Sequence, residues 1–112
     1  MKEKIIKIPI YHWKLHIIKW DLEKIGKKYN LHNIQNYDAV TFALYWKSWD
    51  YHIFICFSNN IENTIIAHEC CHWVNLIFKY NWIKIDLDND EPQAYLLGWL
   101  VWECNKFLAK SK

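Results

Sequence analysis

Two stretches rich in aromatic and β-branched residues, Ala39 to Trp46 and Tyr51 to Phe57, stand four residues apart. Strands favour that composition because such side chains pack well on a pleated surface. Lys47-Ser48-Trp49-Asp50 between them is short enough to turn, so the pair predicts a β-hairpin. A hairpin alone is marginal in water, and the rest of the chain has to cover it.

The N-terminal residues offer more sheet. Lys4 to Tyr11 alternates as a strand and Lys14 to Lys19 supplies a second, with His12 and Trp13 near the bend. Asp21 is placed to cap a short helix, Leu22 to Tyr29, which stops near Asn30. After the hairpin, Ser58-Asn59-Asn60 breaks the strand, and Asn59 with Glu62 resembles a capping box. A helix follows to about Lys79. At ~100° per residue, Ile66, Cys70, Trp73, Val74 and Ile77 cover one face. Ile65, His68, Glu69, His72 and Leu76 share the other, so this helix is expected to be buried nearly all round. Tyr80 to Asn89 leads to a last helix with Asp90 as N-cap, Glu91 first, Pro92 in the first turn and Gln93 reaching back, running to about Ala109. No repeat or linker divides the 112 residues, so residues 1–112 are expected to form one α+β domain. Its N-terminal strands and hairpin, with a short helix, precede a buried helix packed on a C-terminal one.

Composition narrows the classes. With 53% hydrophobic and 23% charged residues the chain can build a core. No apolar run approaches the ~20 residues that span a bilayer, which argues against a membrane protein. MKEKIIKIPIY interrupts its apolar residues with charge and lacks a small-residue cleavage site, so the chain reads as soluble and cytoplasmic. The net charge of +2 comes from lysines, with no arginine to fork onto phosphate or guanine. The early lysines read as solvated faces, which argues against a nucleic-acid partner. Cys56, Cys70, Cys71 and Cys104 form no C-x-x-C pair, so buried free thiols are expected rather than a thiolate zinc knuckle. Trp73, Trp99 and Trp102 fall at core-like helical spacing. Trp46, Trp49 and Trp82 sit near loops, where exposure would mark a protein partner or an apolar substrate.

Inside TIIAHECCHWVN, His68, Glu69 and His72 stand as H-E-x-x-H. Residues four apart on a helix lie one turn above each other, so the two rings aim at one point and can share a zinc ion. Glu69, a quarter turn away, is placed to take a proton from water. The plainer alternative is two core histidines bonded to backbone or acids. A third ligand favours the metal: Glu91 follows His72 by 19 positions, room enough to leave one helix and return antiparallel to it. Asp86, Asp88 and Asp90 are its rivals. Their spacing resembles a calcium loop, but Glu91 occupies the position that needs glycine and Leu97 the one that needs a bidentate glutamate. Tyr95, Gly98 and Trp102 continue the stripe of Glu91. Gly98 would let the two helices approach closely, and Tyr95 would either donate to an oxyanion or be satisfied by a backbone carbonyl. Cys71 falls on the flank of the histidine stripe.

TIIAHECCHWVN followed by NDEPQAYLLGW resembles the zincin metallopeptidases, and its glutamate spacing is similar to the gluzincin pattern. The small size and the strands before the helix also resemble minimal zincins of mobile elements, the ImmA/IrrE-type and short phage metallopeptidases. The resemblance covers roughly Thr64 to Trp99. It implies a zincin-like domain with one zinc per chain held by His68, His72 and Glu91, and with Glu69 as general base and then acid. Where larger gluzincins carry an acid four residues after the glutamate, this chain has Tyr95, so no residue is assigned to orient a ligand histidine.

The expected activity is therefore zinc-dependent hydrolysis of peptide bonds in a peptide or protein substrate. Manganese and iron suit the same donors. The strand Tyr51 to Phe57 is expected to lie along the cleft and pair with substrate, with Tyr51 and His52 as oxyanion candidates beside the alternative of ordinary strand surface. The rival from another class is a non-catalytic, zincin-like binding protein with a structural or vestigial metal site.

Overall fold

Five consecutive residues of the strand Tyr51–Phe57, from Ile53 onward, are buried, the pattern of a strand covered on both faces. The computed structural model describes residues 1–8, 13–45, 51–59 and 61–110, the side chain of Lys110 excepted. Among them the chain forms β1 (Lys2–Lys7), β2 (Lys14–Lys19), α1 (Leu22–Tyr29), β3 (Ala39–Tyr45), β4 (Tyr51–Phe57), α2 (Asn63–Tyr80) and α3 (Glu91–Lys110), an α+β fold. The sheet runs β1-β2-β4-β3. β4 lies parallel to β2 on one side and antiparallel to β3 on the other, and β1 pairs antiparallel with β2.

This order corrects the expected cleft. β4 is hydrogen-bonded on both sides and cannot take an added strand; among the described residues β3 and β1 are the two edges. Pairing of Tyr45 with Tyr51 is the register of the expected hairpin. The turn itself, Lys47 to Asp50, lies outside the described residues, as do Trp46, His12 and residues 9–11 of the expected first strand. β1 begins at Lys2, two residues earlier than its alternation suggested.

The two faces of the sheet build two cores. Leu15, Ile17, Ile53, Ile55 and Phe57 pack beneath α2 and α3. Ile18, Phe54 and Cys56 pack against Leu22 and Ile25 of α1 and against Ile34. Local signals for α1 behave as expected: Asp21 Oδ1 accepts from the amides of Glu23 and Lys24, and Asn30 closes the helix at φ 57. The expected capping box at Asn59 does not form. α2 starts at Asn63 after an extended Glu62, with no side-chain cap bond. Ser58 instead donates its amide to the carbonyl of Asp38, prolonging the strand end.

α2 and α3 pack antiparallel: the Cys70 and Cys104 sulfurs lie 3.9 Å apart, and the rings of Trp73 and Trp99 6.2 Å. α2 is not buried all round. Its predicted inner face, Ile66, Cys70, Trp73, Val74 and Ile77, is buried, while Ala67, His68, Cys71, His72 and Asn75 are exposed. Cys71 thereby departs from the expectation of buried thiols; the other three cysteines are buried. Trp102 also departs from core: it is 57% exposed beneath the Lys106 ammonium, which sits 3.5 Å from its ring centroid. Trp82, one of the three tryptophans near loops, is exposed. Among the described residues no helix is long and apolar enough to cross a membrane.

Candidate metal site

On the outer face of α2 the Nε2 atoms of His68 and His72 lie 3.1 Å apart, their rings nearly perpendicular. A tetrahedral zinc at ~2.0–2.1 Å from two nitrogens holds them about 3.3–3.4 Å apart. The pair is thus close to a zinc bite without rearrangement. As free imidazoles, one ring N–H donates to the other ring's nitrogen.

Glu69, about a quarter turn from His68, points toward β3. It is 7% exposed, and its Oε2 accepts from the Thr41 hydroxyl at 2.6 Å. The carboxylate is thereby fixed at the wall of an open groove of about 420 Å³ between α2 and β3, lined by Tyr37, Thr41, His68, Glu69, His72 and Lys79 among others. A second depression of about 340 Å³ continues it past Tyr37, Asp38 and Thr64 and shares His68 and Glu69. Imidazoles, carboxylate and an edge strand therefore meet along one groove.

Thr41, Tyr37 and Lys79 had no place in the sequence reading. For Thr41 a signal existed: alternation along β3 puts Ala39, Thr41 and Ala43 on one face and Val40, Phe42 and Leu44 on the other. The face with small side chains is where α2 comes close. Nothing marked Tyr37 or Lys79, whose places follow from how α2 lies on the sheet.

Glu91 is not brought to the histidines. Among the described residues no group of three or more His, Cys, Asp or Glu side chains is arranged to hold a metal ion. The cause is helix register. With Cys70 beside Cys104 and Trp73 beside Trp99, Glu91 falls level with a point about ten residues past His72, roughly 15 Å along the axis at ~1.5 Å per residue. It is also rotated about 180° from Leu100, which is fully buried. The donor set fits zinc in its two imidazoles and does not fit it with Glu91 of the same helical pair.

The rest of the Glu91 stripe faces solvent too. Tyr95 is 76% exposed, which places it away from the groove and leaves both expected uses of its hydroxyl without a partner site. A Cβ at Gly98 would meet nothing within 4 Å, so the close helix approach expected there does not occur. The inward stripe is Leu96, Leu100, Cys104 and Phe107 instead, and its larger apolar area decides which side of α3 is buried.

Tyr51 and His52 lie away from this groove. Tyr51 stacks on Trp13 at 4.5 Å. His52 is on the opposite face of the sheet, its Nδ1 2.8 Å from His16 Nε2, while His16 Nδ1 reaches Glu3 Oε2 at 3.2 Å. With Nδ1–H given to Glu3, His16 accepts from His52. Burial lowers the His16 pKa below its ordinary value, against the opposing pull of Glu3. No family model, curated protein or solved structure matches this chain.

Proposed function

We propose that the chain is a zinc-dependent hydrolase of peptide bonds, with His68 and His72 as protein ligands of the metal and Glu69 as the carboxylate that moves the proton. The observation that carries this reading is the pair of Nε2 atoms 3.1 Å apart on a groove that Glu69 also lines. Zinc, when bound, supplies Lewis acidity. The chain supplies the rest. Thr41 holds Glu69 in one orientation, so its free oxygen can take the proton of an attacking water and return it to the leaving nitrogen. β3, an edge strand among the described residues and the one that borders this groove, is where an extended peptide can lie.

Zinc content and hydrolysis of a mixed fluorogenic peptide library test it together. Purified protein should carry one zinc per chain, lost in His72→Ala; Glu69→Gln should keep the zinc and lose hydrolysis. Zinc-loaded protein that cuts nothing in the library, or Glu69→Gln that cuts as well as the parent, would overturn the enzymatic reading.

The second reading, a binding protein without catalysis, is favoured by one feature. Trp82 and Leu87 are 94% and 87% exposed in the connection between α2 and α3, with Tyr95 and Trp102 exposed on α3. A partner retained by Glu69→Gln but lost on Trp82→Ala would select it.

A further inference from the structure

We infer that the groove between α2 and β3 selects extended peptides by the order of their charges, an acidic side chain going to Lys79 at one end and a basic one to Asp38 at the other. This rests on the reading of the groove as a peptide site and not on the metal.

The two depressions share Tyr37, Ala39, His68 and Glu69 and so make one continuous channel. Its two halves carry opposite charge: Lys79 lines the first depression and Asp38 the second. Both side chains are exposed, and among the described residues neither has an ion-pair partner in its own chain. The Lys79 ammonium lies 5.8 Å from the Tyr80 ring centroid, which leaves its N–H groups for a carboxylate.

α2 and β3 run in the same sense along this channel. Thr64, in the first turn of α2, shares the second depression with Asp38, just before β3. At the other end Tyr80 stacks on Tyr51, whose register partner is Tyr45, the last residue of β3. From Thr64 to Lys79 the helix rises about 22 Å at ~1.5 Å per residue. An extended segment of roughly seven residues covers that length at ~3.3 Å each.

β3 is paired with β4 on one side only, so a segment laid along its other side gains backbone hydrogen bonds whatever its sequence. Those bonds carry no preference for side chains; the two charges do. Antiparallel pairing is the more stable arrangement. It sets the N-terminal part of the peptide beside Lys79 and the C-terminal part beside Asp38. An acidic residue followed, a few places on, by a basic one then meets attraction at both ends. The reversed order meets repulsion at both.

Fluorescence anisotropy on zinc-free protein at about pH 7.5, where ordinary imidazoles are mostly neutral, tests this without reference to activity. The probes are two labelled peptides of about eight residues, both with amidated C-termini and uncharged centres. One carries Glu-Glu first and Lys-Lys last, and the other the reverse. The first should bind at least about fivefold more tightly at low salt, an advantage that shrinks as salt is added. The charge-swapped variant Asp38→Lys/Lys79→Glu should prefer the second peptide; both positions are exposed, so the fold should tolerate the change. Equal binding of the two orders, no binding of either, or a preference that survives the swap overturns the inference. The hydrolase reading fails separately. Charge-ordered binding with no hydrolysis after zinc loading keeps this inference and sinks that reading, whereas hydrolysis indifferent to charge order does the reverse.

Discussion

The Thr41 hydroxyl donates to the Glu69 carboxylate across 2.6 Å and also approaches the Glu69 carbonyl oxygen at 3.3 Å, tying the edge strand β3 to the middle of α2. One short side chain thereby contacts both the helix backbone and the groove carboxylate.

Replacing Thr41 by Val keeps the shape and removes the donor. A hydrogen bond to a charged group is worth about 1.5–3 kcal/mol, so the urea midpoint should fall accordingly. Thr41→Ser should restore most of the loss. If Val and Ser behave alike, the hydroxyl does not hold Glu69.

The two glycines should respond in opposite directions to alanine. At Gly98 the added methyl meets nothing within 4 Å. Lower backbone entropy in the unfolded chain should then raise the stability of the zinc-free protein by about 0.5–1 kcal/mol. At Gly26 the methyl would lie 3.0 Å from the Leu31 carbonyl oxygen and 3.3 Å from the Ile34 side chain. Gly26→Ala should therefore lower the melting temperature, and a rise would contradict the contact.

Acid should loosen the sheet through His16. Its pKa is lowered in the folded protein by burial, against Glu3, with His52 and Lys14 also lowering it. Below the ordinary value of 6.5 the unfolded chain binds more protons than the folded one. Stability from this group is therefore present above 6.5 and falls as pH drops toward the folded-state value. Urea midpoints from about pH 7.5 down to about pH 5 should decline, and His16→Gln should flatten that decline. An unchanged slope in the variant would assign the effect to other groups.

Thiol labelling should distinguish one cysteine from three. Cys71 is exposed, while Cys56, Cys70 and Cys104 are buried. Burial pushes the Cys56 thiol up; its contact with Cys70, then burial, does the same for Cys104. Iodoacetamide should modify Cys71 in the native protein and the other three only in denaturant. Zinc should slow the native reaction, because Cys71 adjoins His72.

Much of the local structure was legible from residue order. α1 matches its predicted span because its signals are local: an aspartate before the first turn and an asparagine at the end. β2 and β4 also keep their predicted bounds. The start of α2 was misread because Asn59 and Glu62 have cap-like spacing, while the chain there still extends β4. Trp102 was misread because two apolar stripes compete on α3, and Leu100, Cys104 and Phe107 take the inward side.

Periodicity within one segment determined that strands precede two long helices, and that His68 and His72 share one side of a turn, since both follow from bonds and dihedrals a few residues long. Only the tertiary structure decided that β3 rather than β4 lies at an edge, that Thr41 grips Glu69, and that, among the described residues, Glu91 forms no metal-holding group with the imidazoles. Those outcomes depend on which distant side chains interlock. A strand's alternation does not name its neighbour, and a count of intervening residues does not specify how one helix slides along another.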